Sequence, residues 1–182
     1  MNNNSLLKSS TVMAAGTIVS RITGLARGLL LVAVLGTTLL GDTFNVANTM
    51  PNILYNLIIG GALTAVFVPQ ILRATNDSDG GSAFISRLVT VVSVFLGALV
   101  ILSILFAPVL VRIFATSYVG RPEFDVTTLF MRFCLPQIFF MGLFALLSQV
   151  ANAKGRFGPM MWAPVLNNLI AIGVFGWFLK YS

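Results

Sequence analysis

The sequence predicts an all-α protein, a polytopic membrane helical bundle, and three observations carry that assignment. Of its 182 residues, 57% are hydrophobic and only 9% are charged. The mean hydropathy is +0.95, far above that of a soluble domain. The apolar residues gather into five stretches, roughly 11–35, 43–70, 84–113, 125–151 and 158–179, each long enough for the ~20 residues that cross a bilayer as a helix. Residues 1–10 read as a cytoplasmic N-terminal tail and 11–182 as the transmembrane helical domain. The loops between spans leave no room for a soluble catalytic domain.

The first span, 11–35, opens like a secretory signal, since Lys8 precedes a run containing "AAG". The run continues past Arg21 and Arg27 to Gly36, which is the length of a full span and not of a signal core. Within it, "SRITGLARG" places Arg21, Gly24 and Arg27 in one sector of about 120° at about 100° per residue. A guanidinium at membrane depth costs at least ~2.5 kcal/mol, so such a residue faces a bundle interior or a watery cavity, or else snorkels to an interface.

The second span, 43–70, carries "NVANTMPNILYN". Asn45, Asn48, Asn52 and Asn56 are spaced three, four and four apart, which sets them within about 80° of one helical face. Asp42 and Thr49 extend the stripe. Unpaired amides are costly in hydrocarbon, so the stripe either lines a polar cavity or bonds to a neighbouring span. Pro51 lacks a backbone donor and predicts a kink near residues 47 to 51. "GGALTAVFVP" then supplies small residues for close helix packing and a proline to end the span.

Residues 73–83, "RATNDSDGGSA", read as a polar turn. The third span, 84–113, is almost uniformly apolar, with Pro108 near its end, and suits packing and lipid contact. In the following loop Glu123 and Asp125 can cap the fourth span, 125–151. That span carries Arg132 and Pro136, with Arg132 either functional or interfacial. The fifth span, 158–179, opens with Pro159 and Pro164 and holds adjacent Asn167 and Asn168. Pro159 fits a first helical turn, whereas Pro164 predicts a second kink.

Composition also excludes chemistry. There is no histidine and a single cysteine, Cys134, so zinc sites, intrachain disulfides and His-based catalysis are ruled out. No nucleophile elbow, phosphate loop or carboxylate pair is present. The sequence points to no enzyme, no cofactor and no metal. The net charge of +6 comes from basic residues scattered along the span borders, which suits a membrane better than nucleic acid. With the N-terminus inside, inner segments hold Lys8, Arg73, Arg87, Lys154 and Arg156 against Arg112, Arg121 and Lys180 outside, a bias toward a cytoplasmic N-terminus. A basic, amide-lined set of kinked helices suits an anionic ligand, such as a phosphate or pyrophosphate, because the guanidinium fork matches phosphate oxygens.

The motifs "SRITGLARG", "GDTFNVANTMPNIL", "GGALTAVFVPQIL" and "ANAKGRFGPMMWAPVLNN" together resemble the N-terminal part of the MurJ/MviN family, the lipid II flippases of bacterial cell-wall synthesis, in order from about residue 10 to 170. The resemblance implies a MATE-like superfamily lobe and movement of an undecaprenyl-pyrophosphate-linked disaccharide-pentapeptide from the inner to the outer leaflet of the plasma membrane by alternating access. It implies that Arg21 and Arg27 face a central cationic cavity and bind substrate, and the amide stripe adds Asn48 and Asn52 as substrate-binding candidates. It also implies structural or gating parts for Asp42 and for Pro51 with Asn52; Gly24, Asn45, Asn56, Arg132 and Pro164 are further structural or gating candidates. Lipid II, membrane lipids, and cell-wall-synthesis or division proteins are the implied partners. The chain departs from the pattern at Gly28 and Gly60, where members often carry acids, and at Tyr55 and Asn56, where many carry arginine. These changes lower the charge of the cavity. Members have two lobes of spans, so five spans are expected to be an incomplete N-terminal lobe of a larger transporter. A related exporter of polysaccharide lipids or drugs, and a non-transporting membrane scaffold, are the alternative readings.

Overall fold

A computed structural model describes residues 3–36, 39–60, 66–74, 79–155 and 158–181. Within them the chain is helical throughout: α1 (Asn3–Leu35), α2 (Leu39–Tyr55), α3 (Val68–Ala74), α4 (Ser82–Leu105), α5 (Ala107–Phe114), α6 (Glu123–Cys134), α7 (Gln137–Ala153) and α8 (Gly158–Tyr181). No strand occurs among the described residues. Residues 61–65 of the second expected span, 75–78 of the polar turn, and Arg156 lie outside the described residues.

Four helical stretches among the described residues are long and apolar enough to cross a membrane: Ala14–Leu35, Ser82–Leu105, Glu123–Ala153 and Trp162–Tyr181. The helix containing the first begins at Asn3, so residues 3–10 of the expected N-terminal tail are helical. α2 stays α-helical through Pro51 and leaves that geometry only at Asn56, where Asn56–Gly60 is π-helical. The departure follows the proline instead of preceding it. α8 likewise runs unbroken through Pro164.

The third and fourth spans are each divided. The α4/α5 boundary falls at Phe106, next to Pro108 in the first turn of α5, where a missing N–H costs nothing. The α6/α7 boundary falls at Leu135 and Pro136. Glu123 and Asp125 lie in the first turn of α6, but neither side chain caps it.

The chain forms two compact units, Met1–Thr38 with Lys154–Ser182, and Leu39–Ala153. In the first, α1 packs along α8. The second packs α2 on α6 and α7, and α4 on α7, around Ala47, Leu96, Val111, Met131, Leu135, Ile138 and Leu146. Each helix contributes a stripe at helical spacing: Leu88, Val92, Leu96 and Val100 of α4 are buried, as are Ile138, Gly142 and Leu146 of α7. The remaining face of α4, with Val91, Val94, Phe95, Ile101 and Leu105, is exposed, as a lipid-facing helix requires. Phe44 of α2 meets Phe130 of α6 edge to face at 5.8 Å.

Gly142 sets the approach of α7 to α4. A Cβ there would stand 2.7 Å from Leu96 Cδ1, and Leu96 is fully buried and has nowhere to retreat. Close approach over a small residue is how helices gain contact in lipid, where no hydrophobic force drives them together. Replacing Gly142 with Val should therefore lower stability by about 1–3 kcal/mol, whereas Gly97→Val, which meets nothing within 4 Å, should leave it unchanged. Denaturation in mixed micelles measures both, and equal midpoints for the two variants would refute the close packing.

The start of α4 is held by Asp79, which lies outside the spans. Its carboxylate accepts the Ala83 N–H at 2.9 Å and the Gly81 N–H at 2.9 Å. These bonds, with Ala83 foremost, hold its carboxyl below the usual carboxylate range. A depressed folded-state value means the contribution is present above the unfolded pKa of about 3.9 and is lost as pH falls through the folded one. Hydrogen exchange at Ala83, corrected for its intrinsic rate, should show constant protection from neutral pH down to about 4 and loss below it. Asp79→Ala should lack the protection at every pH.

Candidate functional site

α2 sorts its residues onto two opposite faces. Thr43, Ala47, Met50, Pro51 and Leu54 are buried. The asparagines lie about 180° around the helix, where Asn45, Asn52 and Asn56 are exposed and Asn48 is half-buried. The stripe expected from the sequence is therefore the open face of a helix whose other face is core. Pro51 belongs to the core side. Asp42 is exposed in the first turn of α2, where a carboxylate suits the positive end of the helix dipole.

One member of the stripe is tied across to another helix. Gln137 Nε2, at the head of α7, donates to Asn48 Oδ1 at 3.1 Å. That bond leaves the Asn48 amide hydrogens and the Gln137 carbonyl oxygen free to face outward, a donor and an acceptor held side by side. Gln137 is not in the sequence-derived set. Its only signal there is a lone amide after Pro136 at the start of an apolar run. Thr49, by contrast, turns its hydroxyl back onto the Asn45 carbonyl at 2.8 Å and so is satisfied within α2.

The first unit carries the arginines. Asn168 of α8 donates from Nδ2 to the Ser20 carbonyl at 3.1 Å and to Thr23 Oγ1 at 3.2 Å, while Thr23 Oγ1 donates to the Val19 carbonyl at 2.8 Å. Gly24 lies next to this contact: a Cβ there would stand 3.4 Å from Asn168 Nδ2, an ordinary van der Waals distance. Arg21 is exposed and Arg27 half-buried, and among the described residues no carboxylate pairs with either. Arg132 is exposed on α6 beside buried Met131, and Pro164 is exposed on α8.

Among the described residues no cluster of His, Cys, Asp or Glu could hold a metal ion. The first unit presents a guanidinium pair on α1, and the second a neutral amide face on α2.

The matching family model is described as lipid II flippase MurJ and covers residues 31–182. The probable lipid II flippase MurJ of Rhizobium tropici is 31% identical, over 98% of this chain and 37% of its own length. The lipid II flippase MurJ of Burkholderia cenocepacia is 31% identical, over 93% and 34%. The probable lipid II flippase MurJ of Rickettsia prowazekii is 27% identical, over 92% and 33%. The chain spans about a third of the length of the curated relatives it matches.

The Asn168 junction yields a direct test. Asn168→Leu removes one donor that reaches two acceptors and should cost the α1/α8 pair about 1–2 kcal/mol, measured by the same micelle denaturation. Asn167→Leu, at an exposed neighbour, should change nothing. A harmless Asn168→Leu would mean that the apolar contacts alone seat α8.

Proposed function

This chain belongs to the lipid II flippase MurJ family, and on that premise we propose that it is the N-terminal part of a transporter that moves lipid II from the inner to the outer leaflet of the bacterial inner membrane. The observation that carries this is Arg21, exposed on an apolar helix with no counter-charge among the described residues. A cation at that depth is retained where water or an anion meets it. A pyrophosphate offers the planar guanidinium two acceptor oxygens at once.

Arg21 and Arg27 bind the pyrophosphate of the lipid. Asn48 and Asn52 bind substrate through their amides, Gly24 and Pro51 are structural, and Arg132 is a structural or gating residue. The N-terminus is cytoplasmic, on the balance of basic residues between the loops. Transport proceeds by alternating access, without covalent chemistry and without a cofactor, and cell-wall-synthesis proteins receive the product.

The test is a chimera in which residues 1–182 replace the corresponding segment of the Rhizobium tropici relative, expressed in cells depleted of their own flippase. The chimera should restore growth. Arg21→Ala should cut precursor export by about tenfold or more, the loss of a charge-assisted hydrogen bond, and Arg21→Lys should restore part of it. Export that persists unchanged in an Arg21→Ala, Arg27→Ala double variant would overturn the assignment.

A further inference from the structure

We infer that the exposed α2 face, together with Gln137, recognises the uncharged N-acetylated sugars of the lipid-linked ligand and not its phosphates. The inference rests on the flippase reading and adds to it the part of the ligand that this face takes. It starts from charge. No lysine or arginine occurs from Leu39 to Leu72, nor anywhere in α7, and the charge that α2 itself carries along the stripe is the carboxylate of Asp42. These two helices offer an anion no countercharge of their own, and Asp42 opposes one.

What the face does offer suits a sugar. Each amide carries a donor and an acceptor on one rigid plane, as hydroxyl and acetamido groups require. The Asn48–Gln137 bond at 3.1 Å fixes two such amides before any ligand arrives, so less side-chain freedom is lost on binding. Asn52 continues the row one turn further along α2. The face of α7 that bears Gln137 carries Phe140 and Phe144 three and seven residues on, both exposed. Aromatic rings stack on the C–H faces of pyranoses, so amides and rings supply the two contacts that a sugar makes. A helix face meant only for lipid would carry no row of amides, because hydrocarbon leaves them unpaired.

The test uses the chain in lipid nanodiscs and three probes: undecaprenyl pyrophosphate, the same lipid bearing an N-acetylated disaccharide without peptide, and lipid II. The disaccharide lipid should bind about five- to tenfold more tightly than the bare pyrophosphate lipid, the worth of one or two neutral hydrogen bonds. In an Asn48→Leu, Gln137→Leu double variant that preference should vanish while the bare lipid binds as before. Leucine is apolar and well tolerated in a helix, and a Gln137→Asn variant, with the amide retained, should keep part of the preference. Equal affinity for bare and sugar-bearing lipids, a preference gained only with lipid II, or a double variant that behaves like the parent would overturn the inference and leave the flippase assignment standing. Failure of all three lipids to bind would overturn both.

Discussion

Hydrocarbon accepts and donates no hydrogen bonds, and the structure is arranged around that constraint. Hydroxyls inside the helices turn back on their own backbone: Thr43 to Leu40, Thr127 to Glu123 and Thr128 to Phe124. Amides too long for that reach other helices, Asn168 to α1 and Gln137 to Asn48. Among the described residues, the polar groups that stay exposed on helices include the asparagines of α2 and Arg21 of α1, with Arg132 of α6 and Asn167 of α8. An unsatisfied group in a soluble protein is solvated at no cost. In an apolar helix it must be explained by what meets it, which is why these residues carry the functional argument.

The same constraint shapes the backbone. Dividing a span ordinarily exposes N–H and C=O groups, yet at both divisions several donors stay bonded. The Phe106 N–H bonds to Leu102 at 2.9 Å, the Leu135 N–H to Met131 at 2.8 Å, and the Ile138 N–H to Leu135 at 3.0 Å. Helix ends thereby come to lie within what the sequence presents as single spans, and α7 begins at Gln137, which is how its amide comes to stand beside Asn48.

Much of this was legible in the sequence, and the parts that were not share a cause. Span content follows from composition, and the amide stripe follows from spacing, because both depend on the helical period alone and that period holds through α2. Gln137 was missed because its partner lies 89 positions away, and no local pattern announces a tertiary contact of that kind. Spacing puts Gly24 in the sector of the two arginines, but not next to Asn168 of another helix, where it lies. Pro51 promised an irregularity before itself; the core contacts of Ala47, Met50 and Leu54 hold that turn helical, and the geometry changes only at Asn56, past the last of them. The division at Phe106 sits in an almost uniformly apolar run, where hydropathy has no contrast from which to read a boundary.

Separating cationic from neutral recognition has a consequence for transport. A carrier must release what it binds, and a site that holds its cargo too tightly cannot turn over. Several guanidinium contacts to one pyrophosphate in a low-dielectric cavity would each be strong, and adding more of them would raise retention along with selectivity. Neutral amide bonds contribute little each, so a row of them discriminates between headgroups while adding little to the barrier for release. A carrier that reads its cargo's charge with a pair of arginines and its identity with asparagines gains selectivity where it hinders release least. Under the proposed function, the absence of basic residues from α2 and α7 would favour release of the cargo.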